Sequence, residues 1–86
     1  MKNPFKELRQ RLGVTARDIT LATGVDVHEI YTIELGYVAH PTKYAEALEA
    51  LGVAKANELL ADYVAWRKAQ GVAKREELKK LAKGLV

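Results

Sequence analysis

The chain contains no cysteine and no serine, and only one methionine, one tryptophan and one phenylalanine. Without cysteine there is no disulfide framework, no thiolate metal site and no cysteine nucleophile, which suits a reducing compartment and leads us to expect a cytoplasmic protein. The missing serine removes the commonest hydroxyl nucleophile. The longest apolar runs are a few residues, so a membrane span and a signal-peptide core are both excluded from the expectation. The six glycines are dispersed along the chain and build no phosphate-cradling loop. His28-Glu29 continues as Ile30-Tyr31-Thr32, so the second histidine of a helical metal motif is absent, and His40 stands alone before a proline. The expectation is a protein with no catalytic residue, no metal and no cofactor: not an enzyme.

What is present is enough apolar surface to fold. The 86 residues are 49% apolar and 29% charged, the composition of one small globular domain. The net charge of +3 is unevenly spread. Residues 1–17 carry five basic groups against Glu7, and residues 68–86 carry six against Glu76 and Glu77. Between them, three basic groups face eight acids. Two basic ends around an acidic middle fit a nucleic-acid binder held by its ends.

The periodicity is helical throughout, and the fold class is all-α. Each of the six glycines follows or ends a helix-like segment, where a residue tolerating the left-handed conformation closes the helix. Asn3 caps a first helix with Pro4 in its first position and Phe5, Leu8 and Leu12 on one face. Thr15 with Asp18, and Asp26 with Glu29, open a second and a third helix as capping-box pairs. Val14 with Ile19, and Val25 with Ile30, are the corresponding hydrophobic staples. A fourth helix spans about Thr42 to Leu51, a fifth about Ala54 to Gln70, and a sixth Val72 to Leu85, the break falling at Gly71.

Thr15–Leu35 is thus helix, short glycine turn, helix, the spacing of a helix-turn-helix. The sequence here resembles the phage-repressor (Cro-type, XRE) helix-turn-helix family. The matching residues are Leu8, Arg9, Leu12-Gly13-Val14-Thr15, Ile19, Gly24-Val25, Ile30, Ile33-Glu34, Gly36, Pro41, Ala47-Leu48 and Leu51-Gly52-Val53, covering roughly residues 5–60. The resemblance implies a lambda-repressor-like five-helix bundle, here with an extra C-terminal helix. Residues 1–60 would be the DNA-binding core, and 54–86 a helical extension of the same domain.

It also implies a function and a set of residues. The function would be that of a sequence-specific transcriptional regulator that places its third helix in the major groove of double-stranded DNA. The base-reading positions fall on Val27, His28 and Thr32. Val27 suits a thymine methyl, and the other two suit base-edge hydrogen bonds. Phosphate contacts would come from Arg17, Tyr31, Thr42, Lys43 and Tyr44. Arg9 would pair with Glu34 to fix helix orientation. The reading helix lacks arginine, lysine, asparagine and glutamine, and Asp26 and Glu29 place acids near its start. Ala16 stands where the family has glutamine, and Thr20 where it has a small core alanine.

Members of the family commonly bind as two-fold dimers. A homodimer built on the fifth and sixth helices, through Leu59, Tyr63, Trp66, Leu78 and Leu81, is the expectation. The alternative is a protein-interaction module on the same fold, meeting a protein partner through Val27, Tyr31, Leu35 and Tyr37.

Overall fold

Local signals place the helices. In the computed structural model, which describes residues 2–85, they are α1 (Pro4–Leu12), α2 (Ala16–Thr23), α3 (Val27–Glu34), α4 (Thr42–Ala50) and α5 (Ala56–Gly84). No strand occurs among the described residues. The Asn3 side chain accepts from the backbone N–H groups of Phe5 and Lys6 and opens α1. Thr15 and Asp18 form a reciprocal capping box at α2. Asp18 is held below the usual carboxylate range by the Thr15 backbone N–H that its carboxylate accepts, and then by the Thr15 side chain.

The third helix opens differently from the sequence expectation. The Asp26 side chain makes no capping hydrogen bond. The turn is held instead by Thr23, whose hydroxyl donates to the Ile19 carbonyl and accepts from the Val25 N–H. Gly24, at φ 78°, supplies the reversal. At α5 the cap also comes from outside the local sequence. The Glu49 carboxylate of α4 accepts from the Ala56 N–H at 2.8 Å, meeting one of the orphan donors of the helix start.

The largest difference lies at Gly71. The fifth and sixth helices of the sequence reading are one 29-residue helix, α5. Gly71 is helical and has no positive φ, unlike Gly13, Gly24, Gly36 and Gly52. A glycine inside a helix costs only about 1 kcal/mol relative to alanine. Here it is flanked by Ala69, Gln70, Ala73, Lys74 and Arg75, good helix formers with no proline to stop them. A closing glycine needs a chain reversal that something rewards, and nothing folds back at Gly71. α5 therefore runs on for about 43 Å at 1.5 Å per residue, giving the molecule its 52 Å long dimension.

The core gathers the inward faces of all five helices: Phe5, Ile19, Ile30, Ile33, Tyr44, Leu48, Leu59 and Tyr63 are buried, with Val25 from the turn. Phe5 is its aromatic centre, stacked on Tyr44 with ring centroids 5.1 Å apart and edge-on to Tyr63 at 5.3 Å. Beyond Gly71, every described residue of α5 is exposed. No helix among the described residues is long and apolar enough to cross a membrane.

The dimer surface expected from the sequence divides in two as a result. Leu59, Tyr63 and Trp66 are spent on the chain's own core and have no surface to offer a second subunit. Leu78 and Leu81 remain exposed.

Gly36, which follows α3, shows how tightly the ends are packed. Its φ is 85°, and a Cβ there would lie 2.9 Å from two ring atoms of Trp66. Gly24 shares the left-handed conformation but has open space around it. Gly24→Ala should therefore cost only the backbone strain, about 1 kcal/mol. Gly36→Ala adds displacement of a packed indole and should cost about 2–4 kcal/mol in all. Thermal unfolding checks the pair: the Gly36 variant should melt at least several degrees below the Gly24 variant.

Candidate nucleic-acid interface

The positions expected to read base edges all lie on α3, so their placement depends on how that helix is held. Its inward face carries Ile30 and Ile33, fully buried, and Glu34, nearly so. Its outward face carries His28 and Tyr31, exposed, with Thr32 half-buried beside them. Val27 is also half-buried and packs on the core, so only part of it faces out.

Two side chains of α1 and its cap grip the C-terminal end of α3. The Arg9 guanidinium forks onto Glu34, with Nε and Nη2 each donating at 2.7 Å to a different carboxylate oxygen. Glu34 raises the Arg9 pKa above its usual value through this hydrogen bond. Arg9 also donates from Nη1 to the Val14 carbonyl, tying the α1–α2 turn into the same joint. The Asn3 amide donates to the carbonyls of both Ile33 and Glu34, at 3.0 and 2.9 Å. Asn3 thus caps the start of α1 with its oxygen and the end of α3 with its nitrogen. The sequence shows the first role, through the Asn-Pro pair. The second links residues thirty positions apart and has no local signal.

The expected phosphate-contacting residues separate by exposure. Arg17 near the start of α2, and Thr42 and Lys43 at the start of α4, are exposed. Tyr44 is not. It is fully buried, and its hydroxyl has no hydrogen-bond partner among the described residues. It falls on the inward face of α4 with Ala45 and Leu48, and burial pushes its pKa up to about 12. Tyr44 is a core residue and is removed from the phosphate-contacting set. Thr20 also buries a hydroxyl without a partner among the described residues.

Glu29 and Thr32 are joined: the Thr32 hydroxyl donates to the Glu29 carbonyl at 2.9 Å, which leaves its lone pairs as the group it can offer outward. α3 bears no cation, and exposed Leu35 and Tyr37 follow its outward face toward α4. The Arg67 side chain of α5 reaches back to this region, its Nε donating to the Gly36 carbonyl at 2.9 Å. The sequence signal for this inward contact is the position of Arg67 four residues after Tyr63, on the apolar side of its helix.

Comparison of the chain with family models, with curated proteins and with solved structures returns no match. The chemistry of the interface therefore rests on its own residues.

Two substitutions test the frame around α3. Glu34→Ala leaves the Arg9 guanidinium without its partner in a mostly buried position. It should destabilise the chain by about 3 kcal/mol, the low end for a broken buried pair because Arg9 keeps some contact with water. Chemical unfolding should show a lower midpoint at unchanged slope.

Tyr44→Phe has the opposite sign. It deletes an unsatisfied buried hydroxyl and keeps the ring, so stability at neutral pH should stay level or rise. Its pH dependence also changes. Burial holds the Tyr44 proton on the folded chain to about pH 12, whereas an unfolded tyrosine releases it near 10.0. The stability this difference contributes is complete below pH 10 and is lost as pH rises toward 12. Unfolding free energy measured across that window should fall less steeply in the phenylalanine variant. An equal slope in both proteins would assign the alkaline loss elsewhere, Tyr63 being the other tyrosine whose pKa burial raises.

Proposed function

We propose that the chain is a sequence-specific regulator of transcription that binds double-stranded DNA, its helices in a lambda-repressor-like arrangement with α2–turn–α3 as the helix-turn-helix and α3 in the major groove. The observation that carries this reading is the division of α3. One face is locked by Ile30, Ile33 and the grip of Asn3 and Arg9, and the other presents His28, Tyr31 and part of Thr32 to solvent. A reading helix needs both properties, because base recognition demands side chains held in fixed register. His28 can donate to or accept from a base edge, and Thr32 can accept from an exocyclic amine. Tyr31 can donate its hydroxyl to a phosphate, and Arg17, Thr42 and Lys43 supply the remaining backbone contacts. Leu78 and Leu81, still exposed on α5, are what remains of a surface for a second copy, which would set two reading helices on two half-sites.

A second reading, an interaction module that binds no DNA, draws support from one observation. The outward side of α3 has no cation, and apolar Leu21, Leu35 and Tyr37 are exposed around it.

Selection of duplexes from a random pool at two salt concentrations separates the readings. Recovery of a defined motif supports regulation, and a palindromic motif supports the dimer. On the selected site, His28→Ala and Thr32→Ala should each cost about 1–3 kcal/mol and leave random DNA little changed. Arg17→Ala and Lys43→Ala should weaken both DNAs equally and reduce the salt slope by roughly one. Equal losses on both DNAs in the His28 and Thr32 variants would refute base readout, and a pool that yields no motif would favour the interaction module.

A further inference from the structure

Where α5 leaves the bundle, it forms an open cleft of about 810 Å³ with the loop between α3 and α4. The floor is apolar: Leu35 is 62% exposed, Tyr37 75% and Val64 52%, with Gly71 contributing no side chain and Trp66 at the inner end. The walls are basic. Arg67, Lys68, Lys74 and Arg75 line the cleft, and no carboxylate does. Lys74 also leans on Glu77 at 3.0 Å, and Arg67 has spent Nε on the Gly36 carbonyl. Lys68 and Arg75 make no side-chain hydrogen bond or ion pair among the described residues.

We propose that this cleft is a docking site for an acidic, amphipathic segment of a partner protein, carrying apolar side chains on one face and carboxylates beside them. The two halves of the cleft together narrow the occupant. A phosphodiester backbone or another purely anionic ligand would satisfy the cations and leave the leucine, valine and tyrosine surface wet. A purely apolar ligand would cover the floor and strip water from unpaired cations. A helix or extended strand with aspartate or glutamate flanking leucine or phenylalanine satisfies both, and the cleft is open to solvent rather than enclosed. Contiguous exposed apolar surface rimmed by like charges is the usual mark of a protein-binding face. The site is built by the α3–α4 loop and α5, so it does not depend on whether the outward face of α3 reads DNA. Its position at the end of α3 would let a bound partner and a bound duplex be sensed by the same helix.

The test uses the full chain and a fluorescently labelled peptide of about 14 residues, four helical turns, with leucines spaced for one face and glutamates elsewhere. Trp66, the single tryptophan, lies in the cleft and reports local occupancy. The peptide should bind saturably, raise its own anisotropy and shift Trp66 emission. Polyglutamate of equal length should bind far more weakly. The double variant Lys68→Glu with Arg75→Glu should lose affinity by about tenfold or more, and so should Val64→Gln, which spoils the floor without changing the charge. All three side chains are exposed, so an unchanged helical circular dichroism signal should accompany the loss. Three results overturn the proposal: no binding of the peptide, equal binding of polyglutamate, or a random-sequence duplex that shifts Trp66 and loses as much affinity as the peptide on charge reversal. The last would assign the cleft to the DNA footprint.

Discussion

The arrangement depends on how one helix end is closed. The last turn of α3 leaves carbonyls that its own helix cannot use, and in a buried setting each needs a donor. The Tyr31 carbonyl takes the Leu35 N–H, Thr32 takes Tyr37, and Ile33 takes Gly36. Asn3 then supplies its amide to Ile33 and Glu34, and Arg67 supplies Nε to Gly36 itself. The terminus is thus satisfied from three directions: its own turn, the cap of α1, and the middle of α5. Because these donors sit on elements otherwise packed through apolar contacts, α3 cannot rotate without breaking polar bonds that water would not fully replace. The Arg9–Glu34 fork adds direction more than energy. A buried ion pair recovers little beyond its desolvation cost, but its bidentate geometry admits one orientation.

This closure explains why the left-handed glycine at position 36 is also a packing residue. Trp66 lies against its bare Cα, which brings α5 close enough for Arg67 to reach the carbonyl. Tyr63, one turn earlier, donates its hydroxyl to the Val38 carbonyl at 2.6 Å. α5 is therefore stapled to the α3–α4 loop at two successive turns, and its direction on leaving the bundle is fixed by the same contacts that end α3. The exposed second half of α5 has no such contacts. An isolated helix of that length is marginal in water, so its order rests on being a continuation of a buried helix and on pairs such as Lys74–Glu77 and Glu76–Lys79.

Much of this was legible in the sequence where the signal was local. Asn3-Pro4, Thr15 with Asp18, and the glycines at 13, 24, 36 and 52 each fix a helix end within a few residues, and the helices begin and stop there. The apolar spacing of Phe5, Ile30, Ile33 and Leu48 marks the core. Local rules failed where a tertiary partner decided the outcome. Asp26 looked like a side-chain cap, but it makes no capping bond, and Thr23 braces the preceding turn instead. Gly71 resembled the closing glycines, yet a glycine ends a helix only when the chain must turn, and α5 has no reason to. Tyr44 follows Lys43 at the start of α4, and only the angular position it shares with Leu48 distinguishes a core ring from a surface phenol. The dual use of Asn3 and the reach of Glu49 to α5 have no pattern in the sequence at all.

The charge pattern takes on a different meaning once α5 is one helix. As a linear string it is two basic ends around an acidic middle, which suggests a single extended electrostatic surface. In three dimensions the ends do different things. Arg9, from the first basic segment, is consumed by Glu34, and Arg11 pairs with Glu7 on the same helix, leaving Lys2, Lys6 and Arg17 without an ion pair among the described residues. Of the second segment, Lys68, Lys74 and Arg75 border an apolar cleft, while Lys80 and Lys83 lie on the extension of α5. The exposed face of α3 carries no cation of its own. On the proposed reading, affinity for a polyanion would come from cations on other elements, and discrimination from His28 and Thr32. That separation makes any base reading on this chain unusually dependent on the rigidity of α3, because weak readers gain specificity only when they cannot move to accommodate a wrong partner.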